Sequence, residues 1–195
     1  DEAPKGAWWR AFHDSELDRL EATVAVSNQT LKADEANYRQ GVALIAQARA
    51  GLFPTLNLDP TLTRSGPPAG NLLNAEVTGS WTLDVWGRVR RLIEENGAAA
   101  QATAADLANA TLSEQSALAL AYMQVRQADS LRDLFADTVK QYQRALEITQ
   151  NQYNAGTAAK SDVITAQALL LSAQAQEINV EVARKQNEHA IAVLM

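Results

Sequence analysis

From Ala98 to Ala155 the chain reads AAAQATAADLANATLSEQSALALAYMQVRQADSLRDLFADTVKQYQRALEITQNQYNA, with no glycine and no proline in it. Those two residues are the strongest breakers of a helix. Extended back towards Gly87, the span predicts one unbroken helix from Arg88 to Tyr153. At 1.5 Å rise per residue it would be roughly 100 Å long, too tall for a compact domain. Within it Phe135, Val139, Tyr142, Leu146, Thr149 and Tyr153 step by four and three in alternation. That is heptad spacing, and it asks for a partner helix along the whole stripe.

Working outward, Asn154-Ala155-Gly156-Thr157 ends the rod, with Gly156 placed as a left-handed cap. Ser161 is expected to cap the next helix, and Asp162 to complement its dipole. Val163, Ala166, Leu170, Ala173, Glu177, Val180, Arg184, Asn187, Ile191 and Leu194 then step by three and four to Met195. Several of these are polar or small, which suits a rod in a ring with one wet side. On the other flank a short helix is expected from Ser15 to Val26, capped by Asp14 or Ser15, with Leu17, Leu20 and Val24 on one face. Asn28 is placed to cap a second helix, Gln29 to about Ala50, closed by Gly51. The helices at 29–50 and 161–195 would together span roughly 85 Å, close to the long rod. An antiparallel arrangement with one on each half of the rod follows.

Between residues 55 and 86 the period changes to two. Leu56, Leu58, Pro60 and Leu62 alternate with Thr55, Asn57, Asp59, Thr61 and Thr63. After a turn signal at Gly66-Pro67-Pro68-Ala69-Gly70, Ala75, Val77, Gly79, Trp81, Leu83 and Val85 alternate with Asn74, Glu76, Thr78, Ser80, Thr82 and Asp84. Each run is about the length of a tilted membrane strand. Alternation alone fits a soluble hairpin with one wet face equally well.

Composition narrows the function. A formal charge of −6 disfavours nucleic acid as a partner. Aromatics make up only 6% of the chain, so its alanine-rich apolar set suits close helix packing more than a bulky globular core. With no cysteine there is no disulfide, thiolate metal site or thiol nucleophile. No stretch approaches the ~18 apolar residues of a membrane helix, so any membrane passage must use strands. Asp1 to Lys5 lacks the features of a signal peptide, and the chain reads as a mature or trimmed product.

The order of these parts, and four local strings, resemble the outer membrane efflux family of TolC and OprM-type channels. Trp8-Trp9-Arg10-Ala11-Phe12 with Leu17-Asp18-Arg19-Leu20 resembles its opening segment, and Leu52-Phe53-Pro54-Thr55-Leu56 its run into the first strand. Trp81-Thr82-Leu83-Asp84-Val85-Trp86-Gly87-Arg88 resembles the return into the long helix. Tyr153-Asn154-Ala155-Gly156-Thr157 with Ser161-Asp162-Val163 resembles the periplasmic tip. The fold so implied is mainly α with a β-hairpin: half of a TolC-like α/β-barrel, with two transmembrane β-strands and a long antiparallel coiled-coil helical hairpin. Residues 1–28 would form a lead-in and short equatorial helix, 29–54 and 87–195 the periplasmic α-barrel helices, and 55–86 the outer membrane β-hairpin.

The resemblance implies a passive efflux duct for drugs or other small molecules, in the outer membrane of a Gram-negative bacterium and reaching into the periplasm. Its partners would be a periplasmic adaptor protein, an inner membrane pump and outer membrane lipid, with no nucleic acid. Relatives carry two repeats per chain and form trimers; one repeat is present here, the loop near Gly66 is short, and the lipid-bearing cysteine of many relatives is absent. The competing reading is a coiled-coil scaffold or interaction protein with no pore.

Enzymatic chemistry finds no footing. His13 and His189 lie far apart in sequence and read as surface or packing residues. The adjacent acids Glu94-Glu95 and Asp34-Glu35 share no helix face, and Gly87 and Gly97 are isolated, so no cofactor or metal is expected. The residues singled out are therefore structural or contact positions. Tyr153, Asn154, Gly156, Thr157, Ser161 and Asp162 match the family's adaptor-contacting tip. Trp81 and Trp86 read as a membrane-interface girdle or as core tryptophans. Asn57, Asp59, Thr61, Glu76 and Thr78 would face the water-filled lumen, or simply solvent if the hairpin is soluble.

Overall fold

The computed structural model describes residues 6–66 and 70–195. A 3-10 turn at Trp8–Phe12 is followed by α1 (Ser15–Ser27), α2 (Gln29–Ala50), β1 (Thr55–Ser65), β2 (Gly70–Ser80), α3 (Arg88–Asn154) and α4 (Lys160–Leu194). The long span is a single helix of 67 residues. Of the turn expected at Gly66–Gly70, Pro67, Pro68 and Ala69 lie outside the described residues. The chain divides into two compact units, one spanning Thr30–Ala110 and the other holding α1, α4 and the part of α3 from Thr111 onward.

In the Thr30–Ala110 unit, α2 lies antiparallel to the start of α3. A Cβ on Gly41 would lie 3.5 Å from Ala100, and one on Gly51 would lie 3.4 Å from Val89. Small side chains at these crossings let the two backbones come close. Gly51 does end α2, but without a left-handed backbone. Its N–H bonds to the Ala48 carbonyl at 3.1 Å, and the next two N–H groups, of Leu52 and Phe53, repeat that tight pattern. Pro54 then starts the extended chain.

The strands form a two-stranded antiparallel sheet pairing Thr55 with Ser80 and Ser65 with Gly70. This corrects the expected second run. It begins earlier, at Gly70, and stops at Ser80, so Trp81, Leu83 and Val85 are not strand residues. The cause is the partner: β1 has no residue before Thr55 to extend the ladder, because Gly51 to Phe53 are turning out of α2.

In the other unit, Leu17, Leu20 and Val24 of α1 are buried together with Leu118, Ala121 and Tyr122 of α3. Burying one such leucine contributes roughly 2 kcal/mol. Asp14 is the N-cap of α1, its Oδ1 accepting from the N–H groups of Glu16 and Leu17 at 2.9 and 3.2 Å. Its other oxygen accepts from the Tyr122 hydroxyl at 2.7 Å, which ties the start of α1 to α3. That bond, followed by the Leu17 N–H, holds the Asp14 carboxyl below the ordinary carboxylate range. At the other end of α1 the Asn28 amide donates to Glu114 at 3.2 Å and to the Leu194 carbonyl at 2.9 Å, joining α3 and α4.

Along α3 and α4 the expected stripes meet. Phe135 and Tyr142 share a groove with Leu169, Ala173 and Gln176, while Ala128 and Leu131 face Val180, Ala183 and Asn187. The pairing is antiparallel. All ten stripe positions of α4, from Val163 to Leu194, are buried or half-buried. Its polar members are accommodated in kind: Arg184 donates to Asp129 at 2.6 Å and to Glu188 at 2.6 Å.

Glu21 stands apart. It is fully buried on α1, neither carboxyl oxygen has a hydrogen-bond partner, and burial pushes its pKa up to about 7. A carboxyl raised from its ordinary 4.5 keeps its proton in the folded state after the unfolded chain has lost it. Folding stability therefore falls as pH rises from the unfolded value towards 7, and is level beyond. Glu21→Gln is expected to match wild type below pH 4 and to exceed it by up to about 3 kcal/mol at pH 8. Denaturant unfolding at the two pH values measures the difference.

Candidate functional site

The residues singled out in the sequence fall at two places, the strand pair with its return into α3 in one unit and the α3–α4 turn in the other.

The strand register sorts side chains onto two faces, because directly opposed residues share a face. Asn57 opposes Thr78, Asp59 opposes Glu76 and Thr61 opposes Asn74. All five residues expected to face water, Asn57, Asp59, Thr61, Glu76 and Thr78, thus stand on one side. Leu72 also falls on that side, opposite Thr63. Leu58 opposes Val77 and Leu62 opposes Leu73 on the other side, where these residues are 64–69% exposed. A two-stranded ribbon with an uncovered leucine face and two open edges is not a stable object in water.

Where the strands return to helix, Trp81 donates its indole N–H to the Leu52 carbonyl at 3.1 Å, bracing the two chain segments against each other. Trp81 is 58% exposed and Trp86 95% exposed, so neither is a core tryptophan in this unit. Asp84 has a role that alternation concealed. Its two oxygens accept from the N–H groups of Val89 and Arg90, both at 3.1 Å, so it caps α3. Gly87 supplies the left-handed residue (φ +73°) that turns the chain into the helix. The signal in the sequence was an acid just ahead of the helix start, hidden because Asp84 also fitted the period of two.

At the far end of α3, Gly156 adopts φ +76°. The Thr157 N–H bonds to the Gln152 carbonyl and the Gly156 N–H to the Tyr153 carbonyl, both at 2.9 Å. Those two bonds make a Schellman closure with glycine at its left-handed position. The start of α4 departs from expectation. Ser161 lies inside the helix and Ala159 is the N-cap residue. The alanine side chain cannot accept a hydrogen bond, so Asp162 provides the side-chain partner by accepting from the Ala159 N–H at 3.1 Å. The helix starts one residue earlier than expected because Asp162, three residues inside, reaches back to the cap. Tyr153, Asn154, Gly156, Thr157, Ser161 and Asp162 are all exposed around this turn.

Among the described residues no group of histidines and acids could hold a metal ion, and no helix is long and apolar enough to cross a membrane. His13 has a left-handed backbone (φ 54°) and closes the 3-10 turn, its N–H bonding to the Arg10 carbonyl at 3.1 Å.

Residues 16–195 match the outer membrane efflux protein family, and the chain belongs to that family. It is a half-fold of the TolC-like channels, with its localisation in the Gram-negative outer membrane. The fusaric acid resistance protein FusA of Burkholderia cepacia is 26% identical over 98% of this chain and 38% of its own length. The toluene efflux pump outer membrane protein TtgF of Pseudomonas putida is 28% identical over 87% of this chain and 38% of its own. Among solved structures, the outer-membrane channel OprN superposes with a TM-score of 0.85 at 26% identity, covering 96% of this chain and 44% of that one. The chain spans about two fifths of the length of the curated relatives it matches.

A β-branched side chain at Gly156 would strain a left-handed backbone. Gly156→Val is expected to destabilise the α3–α4 hairpin by about 1–2 kcal/mol and Gly156→Asn by less. Thermal unfolding of the two variants tests the order.

Proposed function

We propose that this chain contributes wall segments to a passive outer membrane duct, through which small molecules leave the cell without any bond being made or broken. The observation that carries this reading is a second set of heptad stripes. On α3, Leu120, Leu134 and Ile148 recur every fourteen residues, with Gln127 and Gln141 at the heptad positions between them, and are 50–60% exposed. On α4, Ile164, Leu171 and Ile178 fall on one seven-residue period and are 57–64% exposed. A helix with one stripe on its hairpin partner and another left bare is built to be flanked on both sides. Repeated around an axis, that demand is met by a closed ring. The strand pair makes the same demand, since in a bilayer open edges are tolerated only when neighbouring strands close the sheet.

In this reading residues 55–86 join a β-barrel with Leu56, Leu58, Leu62, Leu73 and Val77 towards lipid and Asn57, Asp59, Thr61, Glu76 and Thr78 towards water. Residues 29–54 and 87–195 join a helical barrel in the periplasm, and the described lead-in with α1 wraps its equator. The full assembly is a trimer of two-repeat chains. The turn at Tyr153–Asp162 meets a periplasmic adaptor, and an inner membrane pump drives transport. Organic solutes such as those named for the relatives, fusaric acid and toluene, are the cargo class the reading favours.

Val77→Asp should abolish membrane assembly, because a charge on a lipid-facing strand costs several kcal/mol near the midplane. Thr78→Asp should assemble as wild type. Heat-resistant oligomer in outer membrane fractions is the measurement, and equal behaviour of the two would remove the lipid and water faces from the model. A chain that stays monodisperse without detergent would favour the pore-less scaffold instead.

A further inference from the structure

We propose that the junction between the strands and α3 holds a phospholipid headgroup, and specifically one that joins a phosphate to a primary ammonium. The proposal rests on the membrane reading above and adds a ligand to it. The site is an open cavity of about 300 Å³ lined by Val85, Trp86, Gly87, Arg90, Arg91 and Glu94.

Its charges are arranged in a way that helix stability does not call for. The first turn of α3 carries Arg88, Arg90 and Arg91 at a helix end that disfavours cations, and the capping carboxylate of Asp84 offsets one of the three charges. Arg90 is engaged by Asp84, donating to its carbonyl at 3.1 Å and pairing with its carboxylate at 3.5 Å. Among the described residues Arg91 pairs with Glu94 alone, at 2.9 Å, with the two side chains 83% and 67% exposed. Arg88 is exposed and has no polar partner among the described residues. Such exposed pairs are weak and exchange partners readily.

Beside these cations stands Trp86, 95% exposed, and the uncovered leucine face begins a few residues away in the paired strands. An aromatic at the border of an apolar band marks the depth of lipid headgroups. Phosphate is thereby brought level with Arg90 and Arg91, whose guanidinium groups bind it by charge-assisted hydrogen bonds. Glu94, on the rim, repels a purely anionic headgroup. It favours one whose ammonium N–H groups can reach the carboxylate while the phosphate takes over Arg91. Phosphatidylethanolamine has that chemistry. Phosphatidylglycerol lacks the cation, and phosphatidylcholine lacks the N–H donors.

The test uses the assembled full-length protein, stripped of lipid in detergent, then titrated with each of these three lipids and with inorganic phosphate. Bound lipid is counted by native mass spectrometry. Retention of phosphatidylethanolamine is expected to exceed the other two by about tenfold, the scale of one charge-assisted contact. Arg91→Gln should reduce retention of all three lipids, and Glu94→Gln should erase only the preference. Both substitutions are at exposed positions outside the core, and unchanged helix content would verify folding. Equal retention of all lipids, or retention unchanged by Arg91→Gln, would overturn the inference, as would displacement of lipid by an equal concentration of inorganic phosphate. In parallel, insertion into vesicles is measured: an assembly that fails to insert overturns the membrane reading and this site together, whereas one that inserts without the lipid preference overturns this site alone.

Discussion

Everything in the fold answers to the side-on packing of α3. A helix gains little from its own hydrogen-bond ladder in water, and most of its stability comes from neighbours along its flank. Within one unit α2 supplies that flank through glycine and alanine, and within the other α4 supplies it through a heptad seam. The two interfaces differ in kind. At Gly41 and Ala100 the backbones approach closely over small residues, while at Phe135, Tyr142 and Leu169 larger side chains interlock and leave grooves. Neither interface consumes the outward leucines and isoleucines, and that surplus of apolar surface directs the chain towards other chains.

The polar groups inside the α1 unit divide into ties and exceptions. Asp14 with Tyr122, Asn28 with Glu114 and Leu194, and Arg184 with Asp129 each join two elements distant in sequence. A directional bond of this sort sets how far one helix can slide on another, which a stripe of alanine and leucine alone would leave loosely specified. Glu21 is the largest exception, a carboxyl enclosed with both oxygens unpaired, beside the single enclosed atoms Trp8 Nε1 and Asp18 Oδ1. Its burial beside Leu17 and Val24 costs stability at neutral pH and brings no hydrogen bond in return.

Much of this was legible in the residues. The long helix was readable because the absence of Gly and Pro acts locally, and the stripes because heptad spacing projects directly onto one face. The polar strand face was readable up to Ser80, since alternation along a strand is a local geometric fact, although Leu72 also joins that face opposite Thr63. What escaped notice depended on three-dimensional partners. Trp81 to Val85 continued the alternating pattern beyond the point where β1 could pair with them. Asp84 looked like one more polar strand residue until the helix N–H groups of Val89 and Arg90 were seen to converge on it. Ser161 was the better capping residue by type, but the helix began ahead of it, and Asp162 took the role by reaching backwards. Glu21 gave no sign at all, because full burial of a carboxylate on a short helix is not written in its own neighbours in the sequence.

The residue-for-residue opposition of β1 and β2 also bears on how such a sequence can vary. Since neighbouring side chains point to opposite sides, a deletion or insertion of a single amino acid inside either strand would turn every residue beyond it inside out, putting Asp59 or Glu76 where Leu58 and Val77 now stand. Changes of two residues would preserve the arrangement. Drift in the length of this segment among descendants is therefore constrained to even steps, a parity rule imposed by the pleat and by nothing in the cargo.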